Sequence, residues 1–284
     1  MSVLQYYENP LMVGAVACYF ATMLLLWSQL FFHADDISEN MERWHRGACS
    51  WGERALFAGA LLHGLALVGQ GSALFSARVG VAGLFGWILA TLYLAIGRRL
   101  ERASLGAFIA PVVLVAALYS LFDPSLHRAA RADSLEKPWL VIHVALIIFS
   151  YSMLSLAFAA SLVYFLQERL LKRKRLAGLW QRLPPLGVAD EWTYRATAFG
   201  LAALTLGMIV GLIWQARHQP AYAMMSDPKV LLTMATWTTF ALYLASRWWL
   251  GWRGRRTNMV VIYGFVLLLI SFFGAPHVLS GITR

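Results

Sequence analysis

Eight separate stretches of roughly twenty apolar residues run along this chain of 284 residues, and about 20 residues is the length a helix needs to cross the bilayer core. They fall near 11–32, 53–70, 79–97, 104–122, 138–166, 196–216, 230–250 and 258–276. Period-two alternation is missing from all eight, so the pattern favours a helical bundle over a β-barrel. The fifth stretch is long enough to tilt or to extend beyond the membrane. Only 13% of the residues are charged, against about 25% in an ordinary soluble domain. The expected fold is all-α: a polytopic membrane helical bundle of about eight transmembrane helices, forming one integral membrane domain over 1–284. The first stretch, Leu11–Phe32, has no basic region before it and exceeds a signal peptide's apolar core, so it is expected to remain as the first spanning helix.

A net charge of +10 would suggest nucleic acid in a soluble protein, but the placement of the charges excludes that partner. All of the 24 Lys and Arg except Arg78, Arg128, Arg131, Lys137, Arg217, Lys229 and Arg284 lie in or beside the connections after the first, third, fifth and seventh stretches. The positive-inside rule then sets those connections in the cytoplasm and both termini outside, in a multi-pass protein of a bacterial inner (plasma) membrane. The longest of them, 167–192, mixes leucines with Arg169, Lys172, Arg173, Lys174, Arg175 and Arg182. It predicts a basic helix lying along anionic headgroups until Pro184-Pro185 stops it. Membrane lipid is its simplest partner, and a cytosolic protein is the functional alternative.

Within the spans, Gly80, Gly83, Gly86 and Gly97 read as sites of close helix packing, and Pro111 predicts a kink in the fourth helix. Trp139, Trp214, Trp248, Trp249 and Trp252 sit near predicted interfaces, where tryptophan anchors helices; the outer ones could also stack on a flat macrocycle. Cys18 and Cys49 fall at different sides or depths, which argues against a disulfide, and no C-x-x-C or C-x-x-C-H occurs. Hydrolase, zincin and phosphate-loop motifs are missing as well. So are the intramembrane carboxylates of a proton-coupled transporter, and with no repeat symmetry a permease is disfavoured.

Histidine carries the remaining chemistry. His33 and His45 map to the cytoplasmic side, while His127, His218 and His277 map to the outer side. His63 lies past the midplane on its way out, and His143 is one or two turns into the fifth helix from its outer end. Polar side chains at such depths are costly and often functional, and His is the common axial ligand of haem iron. His63 and His143 would flank a haem if their helices were neighbours. Each could equally satisfy itself on a carbonyl of the next helix.

The triplet Asp227-Pro228-Lys229 reads locally as a helix start, with Asp at the N-cap and Pro at the first helical position. It also belongs to a longer pattern. The run WLVIHVALIIFSYSMLSLAFAASLVYFLQERLLKRK, then RLPPL, SDPK, ATW and GWRGRR, resembles the cytochrome c assembly family over 137–276. The resemblance is nearer the HemX/YpjD branch than the full CcsA branch. It implies a haem-handling protein of cytochrome c biogenesis that binds or presents haem near the outer leaflet, with haem b as cofactor. Carried over position by position, Asp227 and Lys229 match the D-P-K of a tryptophan-rich W-x-W-D-P-K-E loop, and His143 matches the histidine of W-L-x-x-H-V. The two tryptophans of that loop would fall on Met224 and Ser226, and a further motif histidine falls on Ala245. Another is expected near Thr283, six residues after His277.

These departures argue against covalent haem attachment, so no catalytic residue is assigned. The expected cofactor-binding residues are His143, His63, His277, Asp227, Lys229 and Trp214, with His143 and His63 on the iron. Expected partners besides lipid are cytochrome c assembly subunits, apocytochrome c or a cytosolic haem-biosynthesis enzyme. The competing reading is a non-catalytic membrane regulator or scaffold that engages such an enzyme through 167–192.

Overall fold

A computed structural model of the chain describes residues 9–31, 39–70, 78–96, 104–122, 138–173, 183–218 and 227–274. Eight helices occupy them: α1 (Pro10–Phe31), α2 (Glu39–Gln70), α3 (Arg78–Ile96), α4 (Ser104–Phe122), α5 (Pro138–Lys172), α6 (Leu186–His218), α7 (Pro228–Trp249) and α8 (Arg255–Leu269). The last ends in a π-helical turn, Ile270–Gly274. No strand occurs among the described residues. In α1, α4, α5, α6 and α8 there is a stretch long, apolar and charge-poor enough to cross a membrane, and α3 is apolar but shorter over Gly80–Ile96. The protein is a polytopic all-α membrane protein.

Each predicted span is a helix, and three are longer than hydropathy indicates. α2 begins at Glu39, α5 continues to Lys172 and α6 begins at Leu186, ten residues before its apolar part. Hydropathy reads where a helix meets lipid, whereas helix formation needs only backbone propensity and local pairs. Those pairs are present: Lys172 bonds Glu168 at 2.7 Å and Arg195 bonds Glu191 at 2.8 Å, both one turn apart. Pro184-Pro185 therefore precedes a helix, as proline does well at such a boundary. The rest of the predicted headgroup helix, 174–182, lies outside the described residues. α4 runs through Pro111.

The chain divides into two compact units. The first takes in Met1–Val141 and Leu166–Pro185, the second Ile142–Phe165 and Leu186–Arg284. In the first, α1 packs on α2 and α4, while α3 packs on α2 and α4. The four helices thus close a ring, the up-down arrangement that short connections favour. α2 shows how the sequence sorts its faces. Phe57, Leu61, Leu65 and Val68 form an exposed apolar stripe, whereas Leu56, Ala60, His63 and Leu67 are buried. In lipid the apolar stripe gains nothing by being covered, so the buried face is selected for close packing. Gly83 and Gly86 supply it on α3. A Cβ at Gly83 would lie 2.7 Å from Ser120 Oγ, and one at Gly86 would lie 3.1 Å from Ala116 Cβ.

The second unit pairs α5 with α6 in antiparallel register. Ser150 Oγ donates to the Gly200 carbonyl at 2.7 Å, and Ser161 meets Thr193 at 3.4 Å. Glycines on α6 admit α5 side chains: a Cβ at Gly200 would lie 2.8 Å from Leu154 Cδ2, and one at Gly207 would lie 2.8 Å from Ile147 Cδ1. α7 packs on α6 and α8. Tyr151 of α5 is fully buried and reaches Ser271 and Thr233, which themselves meet at 3.2 Å.

Candidate functional site

His143 stands on α5, one turn and a half from Pro138, the end that the charge pattern sets outside. Its Nδ1 lies 2.7 Å from the carbonyl oxygen of Gly207. A carbonyl only accepts, so Nδ1 carries the proton and Nε2 carries the lone pair. The ring reaches that position because Gly211, one turn beyond Gly207 on α6, has no side chain. A Cβ there would lie 2.8 Å from both Cε1 and Nδ1. Trp214, half-buried, follows Gly211 by three residues and shares that α6 face. A histidine whose Nδ1–H is held by a backbone carbonyl is the usual arrangement behind an Nε2 metal bond. It is equally the carbonyl-satisfied histidine that sequence reasoning left open.

His63 occupies the middle of the four-helix unit and is completely buried. Its Nδ1 lies 3.2 Å from the Tyr19 hydroxyl of α1, and the two rings meet edge to face at 5.8 Å. Its Nε2 has no hydrogen-bond partner, and neither has the buried Ser120 Oγ. Leaving such a group unsatisfied costs about 1–3 kcal/mol, a price that close packing alone does not explain. The two side chains border neighbouring turns of α3. Gly86 faces His63 Cε1 and Ala116, and Gly83, one turn nearer the predicted outer side, faces Leu67 and Ser120.

No group of three or more His, Cys, Asp or Glu gathers as a metal cluster among the described residues. A haem iron does not need one, because the porphyrin fills four positions and the protein supplies only axial ligands. A single histidine of either unit is the kind of axial donor that a haem iron takes. His63 and His143 belong to different units. His127 and His277 lie outside the described residues, and His218 ends α6 with its side chain undescribed.

Asp227 caps α7 as its sequence predicts. Its carboxylate accepts the Lys229 N–H at 2.8 Å with Pro228 at the first helical position, and the side chain is buried. Asp227→Ala should lower stability by about 0.5–2 kcal/mol, read as an earlier melt of the detergent-solubilised protein. Lys229 is half-buried in the first turn of α7.

Sequence reasoning missed Tyr19, Gly207 and Gly211, and also a polar clasp at the opposite end of the second unit. There Asp190 of α6 accepts from Arg247 Nη1 at 2.8 Å, from Asn258 Nδ2 at 2.8 Å and from the Gly254 N–H at 3.3 Å. The recurrence of Gly200, Gly207 and Gly211 on one side of α6 was available as a signal. Tyr19 left no such mark, since nothing local relates it to residue 63.

A family model described as "Cytochrome C assembly protein" matches residues 75–283. Protein HemX of Brevibacillus brevis is 31% identical over 191 residues, covering 67% of this chain and 70% of that one. Cytochrome c biogenesis protein CcsA of Trieres chinensis is 25% identical over 226 residues, covering 69% and 72%. CcsA of Prochlorococcus marinus is 27% identical over 214 residues, covering 66% and 67%. No solved structure matches the chain. The family match takes in α3 to α8 and so includes the His143 seam and the Asp227 cap, and on it the chain belongs to the cytochrome c assembly protein family.

Proposed function

We propose that this protein handles haem in cytochrome c biogenesis, holding it non-covalently near the outer leaflet through Nε2 of His143. The observation that carries this reading is the 2.7 Å bond from His143 Nδ1 to the Gly207 carbonyl, made over the bare Cα of Gly211. It fixes the ring and its tautomer before any ligand arrives, and such pre-organisation saves ordering cost on binding. In the other unit, and separately from His143, His63 is proposed as an iron ligand, supported by its orphaned Nε2 in a bundle core, where helical bundles build their cofactor sites. Trp214, Lys229 and His277 are proposed to contact the macrocycle or its carboxylates, and Asp227 holds the start of α7 beside Lys229. Bound haem supplies a redox-active iron and a planar aromatic group for delivery. The protein's own residues orient it and exclude water. Cytochrome c assembly subunits and apocytochrome c are the proposed partners, in a bacterial plasma membrane.

The test is a visible spectrum of the protein purified from cells supplied with haem. A Soret band is expected, weakened or shifted in His143→Ala and in His63→Ala. A protein without the band, or a band unaltered in both variants, sinks the ligand assignment.

A further inference from the structure

The link between α7 and α8, Leu250 to Gly254, is short and held at both ends. The Leu250 and Trp252 N–H groups donate to the Ser246 carbonyl at 3.2 and 3.1 Å. Gly251 and Gly254 take φ of +63° and +76°, values that glycine adopts freely. Asp190 fixes the far end, accepting from the Gly254 N–H at 3.3 Å and from Asn258 Nδ2 at 2.8 Å. The apolar span of α8 begins at once, at Arg255. The turn therefore stands where hydrocarbon gives way to headgroups, on the side that the charge pattern sets in the cytoplasm.

This turn carries large apolar groups that its own unit leaves uncovered. Trp249 is 83% exposed, and Leu250 and Trp252 are exposed beside it. An exposed apolar patch rimmed by charge marks a protein or membrane contact, and tryptophan at the end of a span favours the headgroup level. The charge is one-sided. Arg253 and Arg256 are exposed, and the Arg256 guanidinium lies 6.0 Å from the centre of the Trp252 ring. Along Ile142–Phe165 and Leu186–Arg284 the sequence holds three acidic residues, Asp190, Glu191 and Asp227. Asp190 binds Arg247, Glu191 binds Arg195, and Asp227 caps the opposite end of α7. Two cations thus stand beside two uncovered indoles, with no carboxylate of their unit left to neutralise them.

We propose that the α7–α8 turn binds the headgroup of an anionic phospholipid of the cytoplasmic leaflet, with Arg253 and Arg256 on its phosphate and Trp249 and Trp252 against its glycerol and upper acyl chains. Such a lipid satisfies both halves of the surface: the phosphate meets the guanidiniums and the chains cover the indoles. A soluble phosphate would leave the tryptophans wet. The Asp190 clasp sets the turn before the lipid arrives, so little ordering is lost on binding. The site lies at the other end of the unit from His143 and is independent of the haem reading.

The test titrates the full-length protein in mild detergent with dioleoyl-phosphatidylglycerol or, as the zwitterionic control, dioleoyl-phosphatidylcholine. Bound lipid is counted by native mass spectrometry and melting is followed alongside. Wild type should prefer phosphatidylglycerol. Arg253→Gln/Arg256→Gln should lose about 30-fold in affinity for it, about fivefold for each charge, with lipid-free melting unchanged because both side chains are exposed. Trp249→Ala/Trp252→Ala should weaken both lipids. Arg173→Gln/Arg175→Gln, which removes two cations from the connection 167–192, should keep the wild-type preference. An equal loss in that control reduces the effect to overall charge and overturns the site. So does a wild type that holds both lipids alike, or an arginine variant with wild-type affinity. Inorganic phosphate that raises the melting of wild type as far as phosphatidylglycerol does, but not that of the arginine variant, makes the ligand a soluble phosphate and overturns the lipid assignment. A protein that copurifies with wild type, is missing from the arginine variant and is not displaced by phosphatidylglycerol overturns it likewise.

Discussion

Replacing Asp190 by Ala should cost about 3–5 kcal/mol of stability, the usual penalty when one partner of a buried ion pair is removed. The side chains of Asp190 and Arg247 are only 11% and 7% exposed, so screening by water does little to soften the loss. The carboxylate joins three helices: Arg247 comes from the end of α7, Asn258 from the first turn of α8, and Gly254 from the link between them. Gly254 takes a φ of +76°, open to glycine at little cost, and its N–H points at Asp190 Oδ1. Without the carboxylate, Arg247 keeps its contacts with the Tyr194 and Tyr243 rings at 4.9 and 6.0 Å. Those contacts contribute about 0.5–2 kcal/mol each and do not replace an ion pair. Thermal melting of the detergent-solubilised protein checks this. The double variant Asp190→Leu/Arg247→Leu should melt closer to wild type than Asp190→Ala does, because it leaves no buried charge alone. Equal melting of Asp190→Ala and wild type would show that the clasp contributes nothing.

Gly211→Val should abolish the haem signal assigned to His143 while leaving His143 in place. The first added carbon alone would sit 2.8 Å from two ring atoms, inside any real contact. The ring must turn away, and its 2.7 Å bond to the Gly207 carbonyl goes with it. Overpacking of this kind costs about 1–3 kcal/mol, so the protein is expected to fold. Gly200→Ala supplies the control. Its Cβ would press on Leu154 Cδ2 at 2.8 Å, three turns away from His143, and it should lower melting without touching the spectrum. The outcome against the assignment is a Gly211→Val protein with the wild-type band, since a displaced ring cannot hold an iron.

The candidate site was half legible. His143 and His63 stood out because a histidine inside an apolar run is rare and costly, and Asp227 because N-cap chemistry is local. Their partners did not stand out. The Gly207 carbonyl is backbone and carries no side-chain signature, and Tyr19 is separated from His63 by 44 positions. Asp190 fell within the connection 167–192 with no role of its own, whereas the fold turns it inward onto Arg247.

What the sequence determined by itself was the class of the molecule: all-helical, polytopic, with helices where the apolar runs lie. Bilayer thickness and backbone hydrogen bonding impose those features on any chain of this composition, whatever its neighbours. The tertiary structure decided which faces meet. Lipid is as apolar as the helices, so hydrophobicity gives no preference among partners, and close approach over glycines with a few buried hydrogen bonds makes the choice. Those contacts pair residues far apart in sequence, and they turn two histidines visible in the sequence into one ring fixed over Gly211 and another facing Tyr19.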